Sequence, residues 1–180
     1  MNDSALILKA IKGIDSYGNP KMGKYLTSPE FIAEIKKPFE IDKTHDIPYV
    51  AGYSKDGKTV YIDRHLGLMD GKRDITPFLV THERVEKALI DTFGLKYQAA
   101  HAIATAVEEE AVKQAGMNPK KYEAHYTKYI KGLVTEKLKN CPKDLDLTPY
   151  QDEHALALIK RILAGEGSKG GKVDRTKNYR

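Results

Sequence analysis

The sequence predicts a mostly helical α+β protein, with one small β-hairpin followed by about four helices and preceded by an irregular N-terminal region. Three observations carry this. Residues 47–63 hold two short alternating apolar runs joined through Asp56-Gly57, the composition of a hairpin loop. Thr76-Pro77, Asn118-Pro119 and Thr148-Pro149 each set proline beside a capping residue, where its missing N–H and fixed φ suit a helix start. Between residues 77 and 94, apolar side chains recur at three-then-four spacing, the period of an α-helix.

Taken in order, the first 45 residues are punctuated by Gly13, Gly18-Asn19-Pro20 and Gly23 and read as irregular. One short helix stands out there, with Ser28 as N-cap, Pro29 at its first position, Glu30 in its first turn and Pro38 as its stop. In the hairpin, Tyr49, Ala51 and Tyr53 alternate with Val50, and Val60 and Ile62 alternate with Thr59, Tyr61 and Asp63. A loop over residues 64–74 contains Gly67 and Gly71. The next helix should run from Thr76 to about Thr92 and stop at Gly94, and a second from about Lys96 to Ala115, closed by Gly116. Asn118-Pro119 starts a third, to about Leu138. Thr148-Pro149 starts a fourth, with Asp152 and Glu153 in its first turn, to about Leu163. The chain thus divides into an N-terminal segment (1–46), a core (47–164) and a flexible basic tail (165–180).

Composition narrows the function classes. Of 180 residues, 41% are hydrophobic and 31% charged, which fits a globular protein and excludes a mostly disordered, collagenous or membrane-spanning one. The formal charge is +5, but residues 165–180 hold five bases against two acids, leaving 25 bases and 23 acids elsewhere. A nearly balanced body gives poor support for a nucleic-acid-binding fold. The tail could make a weak, salt-dependent contact with an acidic partner or a nucleic acid. The lone cysteine, Cys141, has no partner for an internal disulfide and no nearby His to activate it, so it reads as a bystander. Asp3 stands where a signal peptide would be basic, and no run approaches the ~20 apolar residues of a membrane span. The expectation is a cytoplasmic protein with no membrane partner.

The stretch PFLVTHERVEKALIDTFG, residues 77–94, carries the chemistry. On a helix, Leu79, His82, Glu86, Leu89 and Phe93 share one face, so an imidazole and a carboxylate fall inside an apolar stripe. Burying them there is costly unless each has a strong partner. Spacing i, i+4 also brings both side chains to one point above the helix, as the HExxH metal motif requires of its two histidines. Glu83 follows His82 where that motif carries its general base, so the segment reads HExxE. In YQAAHAIATAVEEEAV, residues 97–112, His101 shares a face with Tyr97, Ala104, Glu108 and Val112. The short Gly94-Leu95 turn makes the two helices antiparallel neighbours, so His82 and Glu86 can meet His101 and Glu108. Two imidazoles and a carboxylate would suit Zn²⁺, with a fourth position open. A purely structural His/Glu network is the competing arrangement.

Other candidates are weaker. GEGSKGGKV lacks the lysine spacing and the following Ser or Thr of a phosphate loop. His45, His65, His125 and His154 have no carboxylate at metal spacing. Tyr122, Tyr126 and Tyr129 form a helical stripe that reads as core packing, and Asp144 and Asp146 read as a loop leading into the fourth helix.

The order TVYID, Gly-containing loop, FLVTHERVEKAL resembles that of zincin-like metallopeptidases. More closely, PYVAGYSKDGKTVYIDR, the HExxE segment, YQAAHAIATAVE and PKDLDLTPYQDEH are similar to an uncharacterised family encoded by bacteriophages and prophages. That likeness covers about residues 47–162. The resemblance implies a zincin-like fold, with His82 as first ligand, Glu83 as general base and His101 as third ligand, Glu108 being the alternative. Glu86 stands where zincins have His, which keeps a donor but makes the metal a weaker Lewis acid. Two functions follow as expectations. One is a zinc-dependent, peptidase-like hydrolase of a protein or peptide, placed in a bacterial host. The other is a non-catalytic interaction or virion-associated module on a degenerate zincin-like fold.

Overall fold

The computed structural model describes residues 3–15, 20–133 and 139–150. Its elements are α1 (Asp3–Asp15), α2 (Pro20–Leu26), α3 (Pro29–Ile35), β1 (Glu40–Asp42), β2 (Ala51–Tyr53), β3 (Thr59–Ile62), α4 (Thr76–Phe93), α5 (Tyr97–Gln114), α6 (Pro119–Leu133) and a 3₁₀ turn at Thr148–Tyr150. The protein is mixed α/β and mostly helical, with six helices and one three-stranded sheet among the described residues.

The hairpin forms as its sequence requires. β2 runs antiparallel to β3, with Ala51 opposite Ile62 and Tyr53 opposite Val60. Its turn is closed by side chains: Ser54 Oγ accepts the Thr59 N–H at 3.0 Å, and Asp56 Oδ1 accepts the Lys58 N–H at 3.0 Å. β1 adds a third strand parallel to β3, giving the order β1-β3-β2. Three mostly exposed residues offer no alternation long enough to read as a strand.

The N-terminal region departs most from expectation. It is not irregular with one short helix; it forms three helices and the edge strand. In α1, Ile7, Ala10, Ile11 and Ile14 recur at i, i+3, i+4, i+7 and are all buried against α4 and α5. Gly13 does not break that helix. A methyl group there would meet only the ends of the Glu110 and Gln114 side chains, which lie over Gly13 and can shift aside. The helix at Ser28 forms as predicted, with Ser28 Oγ accepting the Phe31 N–H at 3.2 Å.

α4 lies at the centre, packed against α1, α3, α5 and both hairpin strands. Its cap position is Ile75, which makes no side-chain cap bond, and just ahead of it Asp74 Oδ1 accepts the Thr76 N–H at 2.9 Å. Gly94 ends it in the left-handed region at φ 62°, its N–H reaching Ile90 O at 2.8 Å. Arg84 fastens the N-terminal region to this helix. Its guanidinium donates to Gly57 O at 3.1 Å, Glu34 O at 2.9 Å and Lys37 O at 3.3 Å, and lies 4.5 Å over the Phe39 ring. α5 packs back along α4 through Ala100 and Ala104, both fully buried, so the backbones approach closely.

Residues 139–147 return along the hairpin. Asp46 accepts the Lys139 and Asn140 N–H groups, Tyr61 donates to Asp144 Oδ1 at 2.7 Å, and the Asp146 N–H reaches Tyr53 O at 2.9 Å. Asp146 Oδ1 also accepts the Thr148 N–H, the cap of a helix start. The Cys141 thiol is pushed up to about 11 by burial and by the Asp46 and Asp63 charges, which makes it a poor nucleophile. The expected fourth helix and the basic tail fall on residues beyond Tyr150, outside the described residues.

Candidate metal centre

α4 sets His82 and Glu86 one turn apart on the side facing α5, and α5 answers with His101 and Glu108. Glu86 Oε2 lies 2.8 Å from His101 Nδ1 and 3.5 Å from His82 Nε2, and the two ring nitrogens are 3.1 Å apart. On the other side of His82, Glu108 Oε2 is 2.8 Å from Nδ1. A carboxylate there requires a proton on Nδ1 and leaves Nε2 for the cluster. Tyr122 donates its hydroxyl to the second oxygen of Glu108, so the orienting carboxylate is itself held. This carboxylate behind an imidazole is the arrangement that fixes metal-binding histidines.

His82, Glu86 and His101 could therefore hold a metal ion, their donor atoms all lying within 4.8 Å of one another. A tetrahedral zinc site with bonds of 2.0–2.1 Å spaces its donors ~3.3 Å apart. The observed separations of 2.8, 3.1 and 3.5 Å bracket that value, so the three residues fit the ion with small side-chain adjustments. Glu108, the alternative ligand, sits on the far nitrogen of His82.

The electrostatics favour a positive charge at this point. His82, Glu86 and Glu108 are buried, at 9%, 3% and 8% exposure. Burial opposes ionisation of Glu86, but hydrogen bonds from His101 and His82 outweigh it and hold its carboxyl at about 2. Burial likewise disfavours charge on His82, yet the Glu108 and Glu86 carboxylates hold its pKa well above the usual imidazole value. Glu83 faces a cavity of about 90 Å³ that it shares with His82, Glu86, His101 and Tyr49. Its carboxyl is pushed up to about 8 by burial, with the Glu86 and Glu108 charges adding and His82 opposing. The cavity has room for several waters.

Phenols complete the surroundings. Tyr53 donates to Glu86 Oε1 at 3.0 Å, and its own pKa is raised by burial and by Glu86. The alternation of the strand residues already turned Tyr53 to the same side as Ala51, which also lines the cavity. Tyr97, read as sharing the His101 face, lies with its hydroxyl 3.3 Å from His101 Nδ1. The tyrosine stripe of α6 is more than packing. Tyr122 stacks edge-on against Phe78 and also reaches Glu108, Tyr126 lines the cavity, and Tyr129 donates to Asp63 at 2.6 Å. Away from the cluster, His45 pairs with Asp42 at 3.1 Å and His65 lies beside Arg64, while His154 and GEGSKGGKV fall outside the described residues.

No family model, curated protein or solved structure matches this chain. Among the described residues, no helix is long and apolar enough to cross a membrane.

Proposed function

We propose that the protein is a zincin-like, zinc-dependent hydrolase of a protein or peptide substrate. The observation that carries the proposal is the convergence of His82 Nε2, Glu86 Oε2 and His101 Nδ1 beside a cavity that Glu83 also lines. With two imidazoles and a carboxylate as donors, zinc is the favoured ion. His82, Glu86 and His101 would hold Zn²⁺ there, and it would supply Lewis-acid polarisation of a substrate carbonyl. Glu108 keeps the His82 ring oriented, and Tyr53 keeps the Glu86 carboxylate turned toward the imidazoles. Glu83 takes a proton from the attacking water and returns it to the leaving amine. Glu83, whose carboxyl is otherwise pushed up to about 8, would ionise more readily with a cation held by His82, Glu86 and His101 and so be available as a base.

One observation favours the non-catalytic module. His82 is paired with Glu108, and His101 with Glu86, so each imidazole has a carboxylate partner within the protein. The two separate in an assay on unfolded casein and a mixed peptide library. The hydrolase should cleave when zinc is present, stop on chelation and recover on adding zinc back. Bound zinc with no cleavage of any substrate would favour the module.

A further inference from the structure

Tyr97 opens α5, four residues before His101, so its ring lies over the His101 imidazole with centroids 5.2 Å apart. Its hydroxyl is 3.3 Å from His101 Nδ1, the same nitrogen that stands 2.8 Å from Glu86 Oε2 and 3.1 Å from His82 Nε2. A ring nitrogen offers one lone pair or one N–H, so it cannot bond well to three such neighbours at once. A cation among them resolves the crowding, because each atom then points a lone pair at one centre. The 3.3 Å from the Tyr97 oxygen to His101 Nδ1, one of the three donors, matches the ~3.3 Å between two donors of a tetrahedral centre with bonds near 2 Å. Ring packing alone would not require the hydroxyl to be aimed at that nitrogen.

We propose that the Tyr97 oxygen is a fourth, displaceable ligand of this centre, completing an N₂O₂ set with His82, Glu86 and His101. The assignment rests on the metal-centre reading above. On coordinating, the phenol loses its proton to solvent through the adjoining cavity. The resting centre is then closed, and a substrate oxygen reaches the ion only by displacing Tyr97. Tyr97 is suited to this because it is half-buried at the cavity wall, at the start of its helix, whereas Glu86 and His82 are fixed in the interior.

The test uses iron as a spectroscopic probe. The full chain is loaded with one equivalent of Fe²⁺ under nitrogen, then oxidised in air. Phenolate bound to Fe³⁺ gives an intense visible charge-transfer band that imidazole and carboxylate ligands do not give. The wild-type protein should show that band. Tyr97→Phe, which keeps the ring and its packing, should still bind one iron, lack the band and bind zinc roughly 10–100-fold more weakly, the loss expected even for an outer-shell partner. One bound iron without the band, or a band that survives in Tyr97→Phe, would overturn the assignment while leaving the three-residue centre standing. Absence of any bound iron or zinc in the wild-type protein would overturn both.

Discussion

Glu83→Gln should lower hydrolytic turnover by roughly 10²–10⁴-fold, the usual contribution of a positioned general base, while one equivalent of metal stays bound. Two features make these outcomes separable. Glu83 is not among the three converging donors, yet its carboxyl faces the same cavity. Its pKa is pushed up to about 8 by burial and the Glu86 charge, with His82 opposing and Glu108 adding. The amide keeps the shape and carries no charge, so fold and metal content should be unchanged and only proton transfer should suffer. Parallel elemental analysis and cleavage rates check this. A variant that cleaves as fast as the wild type would remove Glu83 from the mechanism.

Arg84→Met should destabilise the protein by roughly 3–5 kcal/mol, from the loss of charge-assisted hydrogen bonds to Gly57 O, Glu34 O and Lys37 O at about 1.5–3 kcal/mol each, partly offset by relief of a buried charge. The guanidinium is 4% exposed and its pKa is lowered by burial, with Glu34 and Asp91 opposing. It donates at once to the end of α3 and to the hairpin loop, at Glu34 O and Gly57 O, from the middle of α4. No methionine can replace those bonds. Lysine should recover little, because one ammonium cannot span carbonyls that a planar fork reaches together. Urea unfolding reads this directly as a lower midpoint with an unchanged slope. A loss under about 1 kcal/mol would mean that the N-terminal region is held to α4 by its apolar contacts alone.

The same residues show what was legible in the sequence. His82, Glu86 and His101 were found because helical spacing places polar groups on an apolar face, and the structure brings their donor atoms within 4.8 Å. Gly94 and the Thr76-Pro77 start gave α4 its limits to within a residue or two, since a left-handed cap and a first-turn proline are local physics. α1 was missed although its apolar residues carry the right period, because Gly13 reads locally as a break, whereas burial against α4 and α5 outweighs the cost of one helical glycine. β1 was missed because a parallel edge strand of three residues is made by its partner, not by its own pattern. The Tyr122 hydroxyl was missed for a related reason. Its stripe spacing announces burial, but Glu108 reaches it from another helix.

His82, Glu86 and His101 could hold one metal ion between them. The most direct measurement is zinc content after equilibration with one to two equivalents of Zn²⁺ and removal of free ion, compared with His82→Ala and His101→Ala. The wild-type chain should retain one equivalent per chain, and both variants should retain essentially none while remaining folded by circular dichroism. No retained zinc in the wild-type protein, or equal retention in all three, would contradict the account.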